Sequence, residues 1–188
     1  MSAALRALMI WSAVAGAVCA QTQPAQQPEG MLTPWEIAPV LQEISGYGAR
    51  LGDALSHVDV RPWIARGAPQ TYFEQWQSSS VQAKALADTA GALAKNPEKL
   101  SAGLDVLFRI QALETMVGSL EQGMRKYQKS ADAEALAARV AENGASRSRF
   151  QRYLVNLAAE QEQQLKVMDS EAQRCRALLI GPQPSRKK

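Results

Sequence analysis

Apolar residues recur at steps of three and four along most of this chain, and that spacing narrows the fold more than any other feature. The cleanest stretch is Val106, Ile110, Leu113, Val117, Leu120, Met124 and Tyr127, where steps of four and three alternate without a slip. Such a period puts every member on one helical face, and its regularity predicts coiled-coil-like packing. A second seam runs through Ile37, Leu41, Ile44, Gly48, Leu51, Leu55 and Val58. The longest links Leu136, Val140, Asn143, Arg147, Phe150, Leu154, Leu157, Gln161, Leu165, Met168, Ala172, Cys175 and Leu179.

Punctuation between the seams sets the elements. Thr33-Pro34-Trp35-Glu36 is a capping box with proline at the first helical position, so the first helix starts there, and Pro39 is expected to kink it. Pro62, Gly67 and Pro69 mark residues 59–69 as a loop. A second helix follows from about Pro69 to Ala94, with Ser80, Ala83, Ala87 and Ala90 as a small-residue face suited to close helix approach. Asn96-Pro97-Glu98 reads as the start of a third helix. Ser130 is an N-cap for a last helix that keeps its phase through Asn143-Gly144, a pair expected to weaken it without ending it. Roughly 49 residues at ~1.5 Å each make that helix a rod near 70 Å. The fold class is therefore all-α, an antiparallel up-down four-helix bundle over residues 31–180 with a long C-terminal helix.

Folding the third and fourth helices into a hairpin about Ser130 places residue 130 minus x opposite residue 130 plus x. Leu120 then faces Val140, Val117 faces Asn143 and Leu113 faces Arg147, with Glu114 beside it. Arg147 either pairs with Glu114 across the interface or runs its charge out to solvent along its apolar stem. Helix three starts too late to accompany the end of helix four. Leu165, Met168, Ala172, Cys175 and Leu179 consequently overhang as a partner surface for another protein or a second copy, unless Met31, Leu32 and Trp35 fold back over them.

The first twenty residues have the form of a secretory signal peptide. Arg6 supplies the positive charge, Ala7 to Val18 the apolar core, and Val18-Cys19-Ala20 the small-residue cleavage site before Gln21. That core is too short to span a bilayer, and Val18 is the wrong neighbour for lipidation of Cys19. The expected location is outside the cytoplasm, periplasmic or secreted, with no stable membrane insertion after cleavage. Residues 21–30 then form a Gln- and Pro-rich leader, and residues 181–188 a disordered basic tail. Without Cys19, Cys175 has no intrachain partner; it is either a small buried hydrophobe or the site of an intermolecular disulfide.

Composition excludes more than it suggests. Of the 21 Lys and Arg only Arg6 leaves with the signal peptide, so 20 remain against 18 Asp and Glu, interspersed in a way that argues against a nucleic-acid partner. A single histidine, His57, leaves no Glu-x-x-His pairs for a di-iron centre and no His or Cys set for zinc. Covalent haem attachment lacks its Cys-x-x-Cys-His, and the methionines do not match a Met/His haem bundle. Arg147, Arg149 and Arg152 spread over more than one face and read as solvated surface. Trp63, Tyr72, Phe73 and Trp76 cluster beside His57 and Asp53, either plugging the end of the core or facing a ligand. The function expected is non-catalytic: an exported helical-bundle protein acting as scaffold, adaptor or holdase-like protein-binding module, without cofactors. The alternative is a small-molecule, haem or metal-binding bundle built on the aromatic cluster near His57.

Overall fold

The computed structural model describes residues 32–180. The expected signal peptide, leader and basic tail, and Met31, lie outside those residues. Six helices follow in order: α1 (Pro34–Ser56), α2 (Arg61–Ala65), α3 (Thr71–Leu93), α4 (Leu100–Tyr127), α5 (Ser130–Ala141) and α6 (Gly144–Ile180). Five of these elements carry the all-α bundle as four members, α5 and α6 acting together as the fourth, long one. α1 packs on α3, α3 on α4, α4 on α5 and α6, and α6 returns to α1, which closes the ring. α1 and α3 run antiparallel, Ser45 meeting Ala87 and Leu55 meeting Trp76, and the later members are joined by short connections that turn the chain back in the same way.

The seams point inward. Ile37, Leu41, Ile44, Leu51 and Leu55 from α1 meet Leu86 from α3, Ile110, Leu113, Val117 and Leu120 from α4, and Phe150 from α6, all fully buried. At the start of α1, Glu36 Oε2 accepts from the Thr33 N–H at 2.8 Å and from the Thr33 hydroxyl at 2.6 Å. Those two bonds hold the Glu36 carboxyl below the usual carboxylate range. Pro39 lies inside the helix as expected.

α1 and α3 approach each other backbone to backbone. A Cβ added at Gly48 would sit 2.8 Å from the Ala87 amide nitrogen and 2.9 Å from the Ala83 carbonyl oxygen. Ser45 Oγ donates to the Ala87 carbonyl at 2.7 Å. Only the small face read from the sequence allows this; Ala83 and Ala87 make the contact, whereas Ser80 turns its hydroxyl back to the Trp76 carbonyl.

Three boundaries differ from the sequence reading. Residues 59–69 are not all loop, because Pro62 falls in the first turn of α2, where a missing N–H costs nothing. Gly67, at φ 91°, ends that turn in a Schellman arrangement: the Ala68 N–H reaches the Trp63 carbonyl and the Gly67 N–H that of Ile64. Asn96-Pro97-Glu98 forms a turn, and α4 begins only at Leu100 after Lys99 in extended geometry. Finally, the last helix is interrupted over Glu142 and Asn143. The Asn143 N–H tightens to the Val140 carbonyl, and the Arg147 N–H restarts the ladder on the Asn143 carbonyl. Phase nevertheless carries across the gap, since Leu136, Asn143 and Phe150 are all buried.

Candidate functional site

The α4–α6 register determines where the bundle stops. A Cβ at Gly103 would run into Leu154, Tyr153 Oη donates to the Pro97 carbonyl at 3.2 Å, and Gln161 Nε2 donates to the Glu98 carbonyl at 3.4 Å. Glu98 belongs to the connection before α4, so no bundle helix remains alongside α6 beyond that contact. Leu157 is the last buried residue of α6, and every described residue from 162 to 179 is exposed.

This free half of α6 carries the expected stripe. Leu165 is 65 % exposed, Met168 64 % and Leu179 87 %. Ala172 and Cys175 lie exposed on the same face. Cys175 is thus not the small buried hydrophobe that its residue type favours. The covering alternative fails among the described residues: Trp35 is 75 % exposed, and Leu32 packs against the core of its own bundle. Val167 and Leu178 are exposed as well.

The aromatic cluster occupies the other end, where α2 closes the bundle. Trp63 is 1 % exposed and meets the Tyr72 ring edge-on at 5.9 Å between centroids; Tyr72 meets Tyr127 in the same manner at 6.1 Å. Gly123 on α4 makes room for them, because a Cβ there would stand 2.8 Å from Tyr72 and 3.0 Å from Trp63. Phe73 and Trp76 are half-buried, 5.7 Å apart, and packed on the same core. Both indole N–H groups are engaged: Trp63 donates to Gln128 Oε1 at 3.2 Å and Trp76 to the Leu55 carbonyl at 2.9 Å. Rings packed this way plug the end of the core.

His57 does not join them. It is exposed, and its Nδ1 lies 2.8 Å from the Asp53 backbone carbonyl, so the contact with Asp53 is a helix-end contact and not a carboxylate–imidazole pair. The open groove beside it, about 760 Å³, is lined by Ala49, Arg50, Asp53, Ala54, His57 and Arg139. None of the four aromatics borders it. Its two arginines are tied to Glu142, Arg139 at 2.8 Å and Arg50 at 3.6 Å. Among the described residues no group of three or more His, Cys, Asp or Glu side chains is placed to hold a metal ion, and no helix is long and apolar enough to cross a membrane.

A polar cluster interrupts the core midway. Arg147 Nη1 donates to Glu114 Oε2 across the α4/α6 interface. Tyr47 of α1 lies within reach of these charges and of Glu142, and burial pushes its phenol well above the usual tyrosine range. Its hydroxyl has no hydrogen-bond partner among the described residues, nor does either amide atom of buried Asn143. Tyr47 escaped the sequence reading because it sits one position off the α1 seam, between Ile44 and Gly48. No protein-family model, curated protein or solved structure matches this chain.

Proposed function

We propose that this chain is an exported, non-catalytic bundle protein that works as a scaffold or adaptor, with the free half of α6 as its protein-binding arm. One observation carries the reading: an 18-residue length of helix, 162–179, stands clear of the bundle with Leu165, Met168, Ala172, Cys175 and Leu179 along one side. Most helical stability in proteins comes from tertiary packing, which this length lacks, and an uncovered apolar stripe adds to the cost. Docking the stripe on another protein removes both penalties. The non-catalytic part is supported by the chemistry at hand: the histidine is spent on a backbone carbonyl and the aromatics on the core. The exported part is supported by residues 1–20 alone.

Site-specific photocrosslinking in the producing cell tests this reading. A benzoyl-phenylalanine at position 165 or 168 is expected to give defined protein adducts, while one at Gln111, exposed on α4, gives none. Adducts absent from the arm, or equally frequent at Gln111, would remove the reading's support.

A further inference from the structure

The arm's charges are not mixed along its length. Residues 162–171 contain Glu162, Asp169 and Glu171 against Lys166 alone, a net charge of −2. Residues 172–179 contain Arg174 and Arg176 and no acid, a net charge of +2. A helix divided in this way is complementary to itself, but only when turned end for end. A parallel pair would lay acid on acid and base on base.

Heptad geometry then selects a register. Leu165, Met168, Ala172, Cys175 and Leu179 fill alternating core positions, and Asp169 and Arg176, seven residues apart, flank that core on the same side. Setting Asp169 beside Arg176 of an antiparallel neighbour, the two e positions meeting across the seam, brings Met168 against Leu179 and Ala172 against Cys175. Sliding the pair by one heptad, so that Leu165 meets Cys175 and Met168 meets Ala172, instead places Asp169 beside its own copy. Apolar layers and charges agree in the first register and conflict in the second.

We propose that residues 168–179, the outer part of this arm, pair antiparallel with the same residues of a second copy of this chain, with Asp169 beside Arg176 of the second copy and Arg176 beside its Asp169. This pairing rests on the reading of the arm as a protein-binding element and names its occupant. Two bundles are then held at opposite ends of a shared two-helix bar. Each of the two identical ion pairs is repeated by the symmetry, so reversing one charge harms the dimer twice.

Sedimentation of the purified chain with reductant present provides the test. Wild type is expected to show a concentration-dependent monomer–dimer equilibrium. Asp169→Arg alone and Arg176→Asp alone each weaken it by roughly ten-fold or more, because both symmetric pairs become repulsive. Asp169→Arg with Arg176→Asp in one chain restores dimerisation to within about three-fold, a rescue that only antiparallel self-pairing produces. These side chains are exposed, and an unchanged melting temperature shows that the bundle is intact. Spin labels at Gln163 give the direction: about 30 Å apart along the bar if antiparallel, side by side if parallel.

Three results overturn the pairing: a wild-type monomer at all concentrations, a dimer indifferent to the charge reversals, or a short distance between labels at position 163. A monomer whose arm still crosslinks to a different protein in the cell would sink the self-pairing and leave the adaptor reading in place. A monomer whose arm crosslinks to nothing would sink both.

Discussion

Gly48 on α1 lies backbone to backbone with Ala87 on α3: a Cβ on the glycine would come within 2.8 Å of the alanine's amide nitrogen and 3.2 Å of its Cα. Neither atom can swing away as a side chain would. Gly48→Ala therefore sets two effects of opposite sign against each other. Helix propensity favours the alanine by ~1 kcal/mol, while forced separation of two packed helices costs about 1–3 kcal/mol and more where backbone must move. The clash wins, and a net loss of about 2 kcal/mol in denaturant unfolding is expected. Gly118 is the control, since a Cβ there meets nothing within 4 Å. Gly118→Ala should stabilise by up to ~1 kcal/mol.

The Glu114–Arg147 pair bridges α4 and α6 with side chains 18 % and 38 % exposed. Water screens the arginine in part, so the coupling is less than that of a fully buried pair. A double-mutant cycle with Glu114→Gln and Arg147→Met is expected to return a coupling of ~1 kcal/mol, with each single change costing more than its share of the double. Additive single costs would place Arg147 in solvent, outside the interface.

Tyr47 gives a prediction at both neutral and alkaline pH. Its hydroxyl is buried without a partner, so Tyr47→Phe should be neutral or stabilising by about 1 kcal/mol at pH 7. Burial raises the phenol's folded-state pKa above its unfolded value, so the folded chain keeps a proton that the unfolded chain releases. Stability from this group is whole below ~pH 10 and declines as pH rises above it. Thermal melts from pH 8 to 11.5 should show an alkaline decline in wild type that is shallower in Tyr47→Phe.

Glu36 acts on the acid side in the opposite sense. Its carboxyl is depressed by the two Thr33 bonds, so the cap's contribution is present above the ordinary glutamate pKa and is lost as pH falls through the depressed value. Melting curves at falling pH should therefore separate wild type from Glu36→Gln near neutrality and bring them together in strong acid. A constant gap at every pH would mean that the carboxylate's charge plays no part in the cap.

Export has its own measurement. Intact mass of the protein recovered from the producing cell's envelope or medium should correspond to a chain starting at Gln21. A mass that retains residues 1–20, or a diacylglyceryl adduct on Cys19, would contradict the proposed route.

Helix seams were legible because each depends on one local period, and the hairpin count worked because α4 and α5–α6 meet at a tight turn. Counting from Ser130 sets Glu114 opposite residue 146, and the bond forms one position further, with Arg147. Helix ends were less legible, and proline is the common reason. Pro62 and Pro97 occupy similar sequence contexts, yet the first enters a helix's opening turn and the second stays in a connection whose carbonyl serves Tyr153. Which of these happens depends on contacts with residues far along the chain, Gln128 in one case and Tyr153 in the other. Asn143 kept the seam's phase but not the helix, since a buried amide and the following glycine both weaken the ladder. The polar cluster around Tyr47 left no periodic trace, because a tyrosine one step off a leucine seam looks like its margin.

α6 is a single rod of 37 residues, and its contacts divide it near the middle. Phe150, Tyr153, Leu154 and Leu157 clamp the first half, and every described residue of the second, 162–179, is exposed. Mechanically this is a lever with two arms of similar length, each about 27 Å at the α-helical rise. A tilt of 10° in the clamped half moves the far tip by about 5 Å, and a sideways pull at the tip returns as torque on those four side chains and on the interruption at Glu142 and Asn143. Force or binding at one end of the molecule is thereby delivered to the middle of its core.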